Sequence, residues 1–327
     1  MTEIKIIPPR KEAPVKEAPL AGLAGLGGGV GGLANAGIPV VVGQQQYASD
    51  GSYSFTVPDG VTSISCVCLG GGAGGGIYNV QNRGGPGGGI SYRNNVSVSP
   101  GQTINIVVGD RGKKGSYSPA QGGQYQPGQS ASYFAPTSGG DSTVDFGPSS
   151  SNIKVKGTGG TAPTNGSNGS AGSPNTSAGF SSDGGGNGGT AGEATGGGGG
   201  AGYSGNGGAG TSGNGGNGAG GGGGGGGWSQ GGGGGGGVWV GGQGTNGNGG
   251  SSSAQNVAQG QGGSGGNQGN SPYNYPYSNS NGGNAGLRGA GGGGGDGVNG
   301  GYGTNGGVRL IWPGTDRSYP STRTDDE

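Results

Sequence analysis

Histidine is absent from this chain of 327 residues, methionine occurs once, cysteine twice, and only 9% of the residues are charged. Without histidine the commonest general base and metal ligand is missing, and with it every Ser-His-Asp or Cys-His nucleophile system. Cys66 and Cys68 stand two apart in an alternating pattern, on one face of a strand and at a spacing poorly suited to a disulfide. Two thiols without further ligands do not make a zinc site, so they read as small buried hydrophobes. Asp141 and Asp145 form a candidate carboxylate pair, but no third group supports catalysis. Neither an enzyme nor a metal or cofactor site is expected.

Other absences narrow the class further. Lys+Arg 15 balances Asp+Glu 15, and a net charge of zero argues against electrostatic binding of nucleic acid. Arg83-Gly84-Gly85 is the lone RGG-type triplet. Heptad repeats of a coiled-coil shaft are missing, and essentially no α-helix is expected. The N-terminal segment lacks the charged and apolar regions of a secretory signal. Leu20 to Val42 carries no charge, but it is rich in glycine and holds Asn35 and Pro39, a poor match to a membrane span.

Glycine fills the space these residues leave, at 102 positions. Collagen is excluded because no strict Gly-X-Y period runs through the chain and proline numbers only 18. The runs Gly196 to Gly200, Gly221 to Gly227, Gly231 to Gly237 and Gly291 to Gly295 are punctuated by Trp228-Ser229-Gln230 and Val238-Trp239-Val240. A flexible linker is one reading of such runs. The other is a set of three-residue-per-turn helices of the polyproline II type, packed backbone to backbone. Tryptophan punctuation suits rods joined by turns. Seven residues at about 3.1 Å rise span roughly 22 Å, a workable rod length.

Around the glycine region, alternation marks strands. Tyr53, Phe55 and Val57 alternate with Ser52, Ser54 and Thr56 before a Pro58-Asp59-Gly60 turn. Ile64, Cys66 and Cys68 follow, then Ile90 and Tyr92, Val96 and Val98, and Ile104, Ile106 and Val108. Ile153 and Val155 add a strand with Lys154 and Lys156 on its outer face, and Val308 to Trp312 is the last apolar strand. The expected fold is all-β: a β-sandwich with one solvated face, carrying a long glycine-rich insertion of packed polyglycine-II-type rods. The expected divisions are an extended N-terminal docking arm over 1–45, a sandwich over 46–156 completed by 308–312, a rod insertion over 157–307, and a polar tail over 313–327. The Gly109 to Gly115 loop lacks phosphate-loop spacing and reads as a solvated hairpin.

"YSFTVPDGVTSISCVCLGGGAGGG", "NNVSVSPGQTINIVVGDRG" and the terminal "GGVRLIWPGTDRSYPS" resemble the glycine-rich domain proteins of tailed phages, including those of marine cyanobacteria. The resemblance spans roughly Gln46 to Pro320 and implies a virion structural protein, associated with tail fibres or adhesins. It implies a place in the virion after synthesis in the host cytoplasm, where the protein is expected to be multimeric; the N-terminal arm, read from its residues and not from the family, is expected to contact other virion proteins.

The informative side chains are aromatic. Tyr203, Tyr273, Tyr275, Tyr277 and Tyr302 sit among glycine, serine and asparagine, the vocabulary of adaptable binding loops. They are the candidate receptor-binding residues, for a host cell-surface protein or glycan. Trp228 and Trp239 read as packing or binding residues. Rods without side chains would display these groups at their turns. Rival readings are a purely architectural capsid or baseplate decoration, an ice-binding protein (the threonines are irregularly spaced for that), and disordered filler.

Overall fold

The computed structural model describes residues 41–77, 83–119, 131–164, 167–192, 196–227, 232–251, 260–270, 284–286, 288–293 and 299–321. Most of the expected arm and the end of the tail lie outside these residues. The described secondary structure is strand, apart from a 3-10 turn at Pro148–Ser150.

Among the described residues eleven strands follow in chain order: β1 Gly43–Tyr47, β2 Gly51–Thr56, β3 Ser63–Leu69, β4 Ile90–Ser97, β5 Thr103–Val108, β6 Ser116–Pro119, β7 Ala131–Phe134, β8 Ser142–Asp145, β9 Lys154–Gly157, β10 Gly184–Gly186 and β11 Gly307–Trp312. They build a five-stranded sheet in the order β1-β11-β3-β4-β10, a four-stranded sheet β2-β5-β8-β9, and a separate β6-β7 ribbon. Every pairing is antiparallel, and β11 lies between β1 and β3, with Leu310 opposite Cys66.

The inner faces of the two larger sheets share one core, in which Ile64, Cys66, Cys68, Ile104, Ile106, Val144, Phe146, Val155, Val308 and Leu310 are buried. In β5 the alternation is kept, with exposed Thr103, Asn105 and Val107 on the solvated face. β3 departs from it, because all seven of its residues are buried. Its second face carries Val67 and Leu69 into another apolar cluster with Ile90, Tyr92, Ala201, Tyr203, Val238, Val240, Ile311 and Tyr319. The five-stranded sheet is therefore covered on both sides: by the other sheet, and by residues of the glycine region. Only the four-stranded sheet has the solvated face expected from the sequence.

The glycine region packs as rods with a three-residue register. Gly70, Ala73 and Gly76 donate their amides to the carbonyls of Gly89, Pro86 and Arg83. Gly71 and Gly74 donate to Gly140 and Thr137, while Gly72 and Gly75 donate to Thr304 and Gly301. Each third amide thus meets the same neighbour, as a helix with three residues per turn requires. Deeper in the region the register recurs: Gly197 and Gly200 donate to Gly233 and Gly236, and Gly223 and Gly226 to Gly200 and Gly197. Neighbouring backbones are too close for a side chain between them; a β carbon on Gly291 would stand 1.7 Å from the Gly85 oxygen.

The bundle is wider than the 157–307 insertion. Gly70 to Gly76, Gly84 to Gly89, Gly109 to Gly115 and Thr137 to Gly140, which belong in sequence to the sandwich, also run as rods. Gly109 to Gly115 is accordingly not a hairpin; Gly112 and Gly115 donate to Gly72 and Gly75. Side chains are not restricted to turns either. On peripheral rods they occupy the outward positions, as do exposed Asn206, Asn214 and Asn217. Such side chains also satisfy amides that lack a neighbouring rod: Asn187 donates to Asn206 Oδ1, Gly249 to Asn217 Oδ1 and Gly221 to Asn246 Oδ1. Outward polar groups thereby close an edge that would otherwise continue to recruit backbone. Net of water, an amide bond contributes about 0.5–1.5 kcal/mol, while ordering a residue costs roughly 1–2 kcal/mol. The rods therefore depend on the apolar core at their base.

Candidate recognition surfaces

The rod register gives the bundle two ends. Near the sheets Gly70 donates to Gly89 and Gly89 to Thr158, Gly71 donates to Gly140, and Gly306 donates to Gly109. The opposite end gathers Gly76 with Arg83, Gly196 with Thr211, Gly227 with Gly233, Gly234 with Asn270, Asn270 with Asn284, and Gly293 with Gly301. Trp228, Tyr273, Tyr275 and Tyr277 lie outside the described residues. The described residues that flank them in the chain, Gly227 and Gly232, then Asn270 and Asn284, stand at this far end.

Tyr203 is not displayed. It is fully buried at the sheet end, its ring stacked on Tyr319 at 5.8 Å with 10° between planes. Its hydroxyl donates to the Trp239 carbonyl at 2.9 Å and accepts from the Gly242 amide at 3.0 Å. Burial raises the phenol pKa well above its ordinary value, and that of Tyr319 likewise. Tyr203 sits where a rod meets the outer face of the five-stranded sheet, and it serves packing.

Tyr302 is half-buried on the flank of the bundle, with the Arg111 guanidinium carbon 4.9 Å and the Lys114 ammonium 5.3 Å from its ring centre. Its amide donates to Asn284 Oδ1, and its carbonyl accepts from the Ala285 amide. Trp239 is also half-buried, with the Arg288 guanidinium carbon 4.0 Å from its ring centre. Arg288 holds a left-handed backbone (φ 71°) at a rod turn. Burial lowers its pKa, and its Nε and Nη1 are enclosed without a hydrogen-bond partner among the described residues.

Arg111, Lys113, Lys114 and Arg288 were not singled out by the sequence reading. The one available signal was the run Asp110-Arg111-Gly112-Lys113-Lys114, in which cations crowd a glycine-bounded segment. The acid pair Asp141 and Asp145 does not act as a pair. Asp141 bonds Lys156 at 2.9 Å and Asp145 bonds Lys154 at 2.8 Å, across the β8–β9 ladder. Among the described residues no group of three or more His, Cys, Asp or Glu side chains is placed to hold a metal ion. Cys66 and Cys68 are free thiols, and burial pushes the Cys66 pKa up to about 12.

A family model described as a glycine-rich domain matches residues 47–220, more than half of the chain. The chain belongs to the glycine-rich domain family. The match begins at the last residue of β1 and takes in β2 to β10 with the rods up to Gly220, so the glycine-rich domain joins sandwich and bundle in one unit. No curated protein matches the chain.

Proposed function

We propose that this glycine-rich domain protein is a non-enzymatic structural component of a tailed-phage virion, associated with the tail fibre or tail tip, that recognises the host surface. The observation that carries this reading is the gathering of rod ends at the end of the bundle away from the sheets. A bundle bonded through its backbone holds those ends in fixed relation, as a display scaffold must. The strand motifs shared with phage glycine-rich proteins support the virion setting. In this reading the N-terminal arm docks the chain onto other virion proteins, the copies are multiple, and the tyrosine cluster Tyr273, Tyr275 and Tyr277 contacts a host protein or glycan.

The burial of Tyr203 favours a second reading, an architectural capsid or baseplate decoration in which aromatics serve packing throughout. Antibody-labelled particles separate the two: label at a distal tail tip supports recognition, and label spread over the capsid removes it. Replacing Tyr273, Tyr275 and Tyr277 together with alanine is expected to weaken adsorption to host cells at unchanged particle yield; unchanged adsorption removes that loop from the site.

A further inference from the structure

One flank of the bundle concentrates cations that make no ion pair among the described residues, and its acids are Asp110, beside Arg111 in the chain, and Asp50, which accepts from the Asn305 side chain. Gly300, Gly303 and Gly306 donate to Gly115, Gly112 and Gly109, so the rod bearing Tyr302 lies directly beside the rod bearing Arg111, Lys113 and Lys114. On its other side Ala285 donates to Tyr302, and Gly289, next to Arg288, donates to Asn305. Arg288 in turn accepts from Val238, whose neighbour Trp239 it covers. A continuous strip therefore carries Lys114, Arg111, Tyr302, Arg288 and Trp239 across adjacent rods.

Elsewhere the cations are held by protein oxygens: Arg83 by Asn168, Arg309 by Gln44 and the Gly241 carbonyl, and Arg317 by the Gly43 carbonyl. Arg93, Lys154 and Lys156 each pair with an aspartate. Among the described residues, Arg111, Lys113, Lys114 and Arg288 make no ion pair, although Arg111 and Lys113 are exposed. Two of the rings carry a parked cation, an arrangement that holds guanidinium and ammonium groups in place without neutralising them. Guanidinium forks suit carboxylate, sulfate and phosphate oxygens, and an aromatic edge beside them offers apolar area to the C–H face of a sugar. Outward positions recur every three residues, about 9 Å along a rod, so the strip is long and open, shaped for a polymer rather than a small ion. The few cations of the strip fall short of the many phosphate contacts on which duplex binding rests.

We infer that the flank formed by Arg111, Lys114, Tyr302, Arg288 and Trp239 binds an anionic polysaccharide. The inference rests on the host-surface reading only for where such a polymer is met. Acid groups of the polymer take Arg111 and Lys114, and its sugar rings lie along the edges of Tyr302 and Trp239, the latter held by Arg288.

The test titrates the full chain with dextran sulfate, with the polyuronate alginate, with neutral dextran and with duplex DNA. Binding is expected to at least one of the two acidic polysaccharides and not to dextran, weakening at least tenfold as salt rises; the sulfate and uronate arms tell which acid group is preferred. The double variant Arg111→Gln, Lys114→Gln is expected to lose at least tenfold in affinity, Tyr302→Ala severalfold, and Lys154→Gln nothing. Should a variant misfold, amine acylation of the unaltered protein decides: bound polymer is expected to shield Lys114 and to leave Lys154 and Lys156 reactive. The inference is overturned by failure to bind either acidic polysaccharide, by equal loss in Lys154→Gln, by uniform shielding, or by DNA binding as tight as the tighter polysaccharide. Polymer binding by a protein that does not adsorb to host cells leaves this face standing and removes the host reading. Adsorption without polymer binding does the reverse.

Discussion

Gly72 approaches the carbonyl oxygen of Ala290 so closely that a β carbon on the glycine would stand 1.8 Å from it. The obstacle is backbone on a neighbouring rod, so no rotamer relieves it. Gly72→Ala is expected to destabilise the protein by more than about 3 kcal/mol, beyond the usual cost of an overpacked core. Gly213 supplies the contrast: a β carbon there meets nothing within 4 Å and its φ is not positive. Gly213→Ala is expected to be neutral or to stabilise by roughly 0.4–1 kcal/mol through the unfolded chain. Urea unfolding of the two variants checks the pair, and equal effects would contradict the packed-rod account.

Hydrogen exchange reads the register directly. Every amide from Gly70 to Gly76 has a backbone acceptor, so slow exchange is expected throughout. On the peripheral rod Gly207, Gly208, Gly210 and Thr211 are bonded, whereas the amides of Asn206, Ala209 and Ser212 have no acceptor among the described residues. Protection there is expected to fail at every third residue. Uniform exchange along 206–212 would count against the three-residue turn.

Tyr203 offers a test of packing against display. Tyr203→Phe removes the donor to the Trp239 carbonyl and leaves the Gly242 amide without its partner, at an expected cost of about 1–3 kcal/mol. Thermal unfolding should register the loss, while host adsorption measured below the transition should not change. Weakened adsorption of the folded variant would return Tyr203 to the recognition site.

Alkaline pH should destabilise the fold. The Cys66 thiol stays neutral in the folded chain up to about 12, whereas in the unfolded chain it ionises near the ordinary value of 9.0. Its contribution is fully present below pH 9 and is lost as pH rises towards 12, because the unfolded state sheds its proton first. Tyr203 and Tyr319, raised in the same direction by burial, add to the decline above pH 10.0. Urea midpoints from pH 8 upward should fall, and Cys66→Ala should make the fall shallower.

The strands were legible because alternation is local: Ile104, Ile106 and Val108 declare a half-buried strand without reference to any other segment. So was the rod conformation, since unbroken glycine leaves few ordered alternatives. The partners of each rod were not, because a glycine run carries no side chain to specify which backbone it meets. For the same reason Gly70 to Gly76 fell within the expected bounds of the sandwich. Tyr203 was misplaced because its sequence neighbours are polar or small, while the apolar residues that enclose it, Tyr92, Ile311 and Tyr319, come from distant parts of the chain. The Tyr302 flank escaped notice since Arg111 and Lys114 are remote from it in sequence and adjacent only across a rod boundary.

The outward side chains of the peripheral rods have a consequence for how this surface can change. Positions that face another rod are closed to every residue but glycine where the spacing is tightest, whatever the surface must do. Those facing water meet no such limit, so lysine, asparagine or tyrosine can be exchanged there while the backbone lattice beneath is left intact. Scaffold and surface are thus written in separate reading positions of the same chain, and a new partner can be met by rewriting one without touching the other.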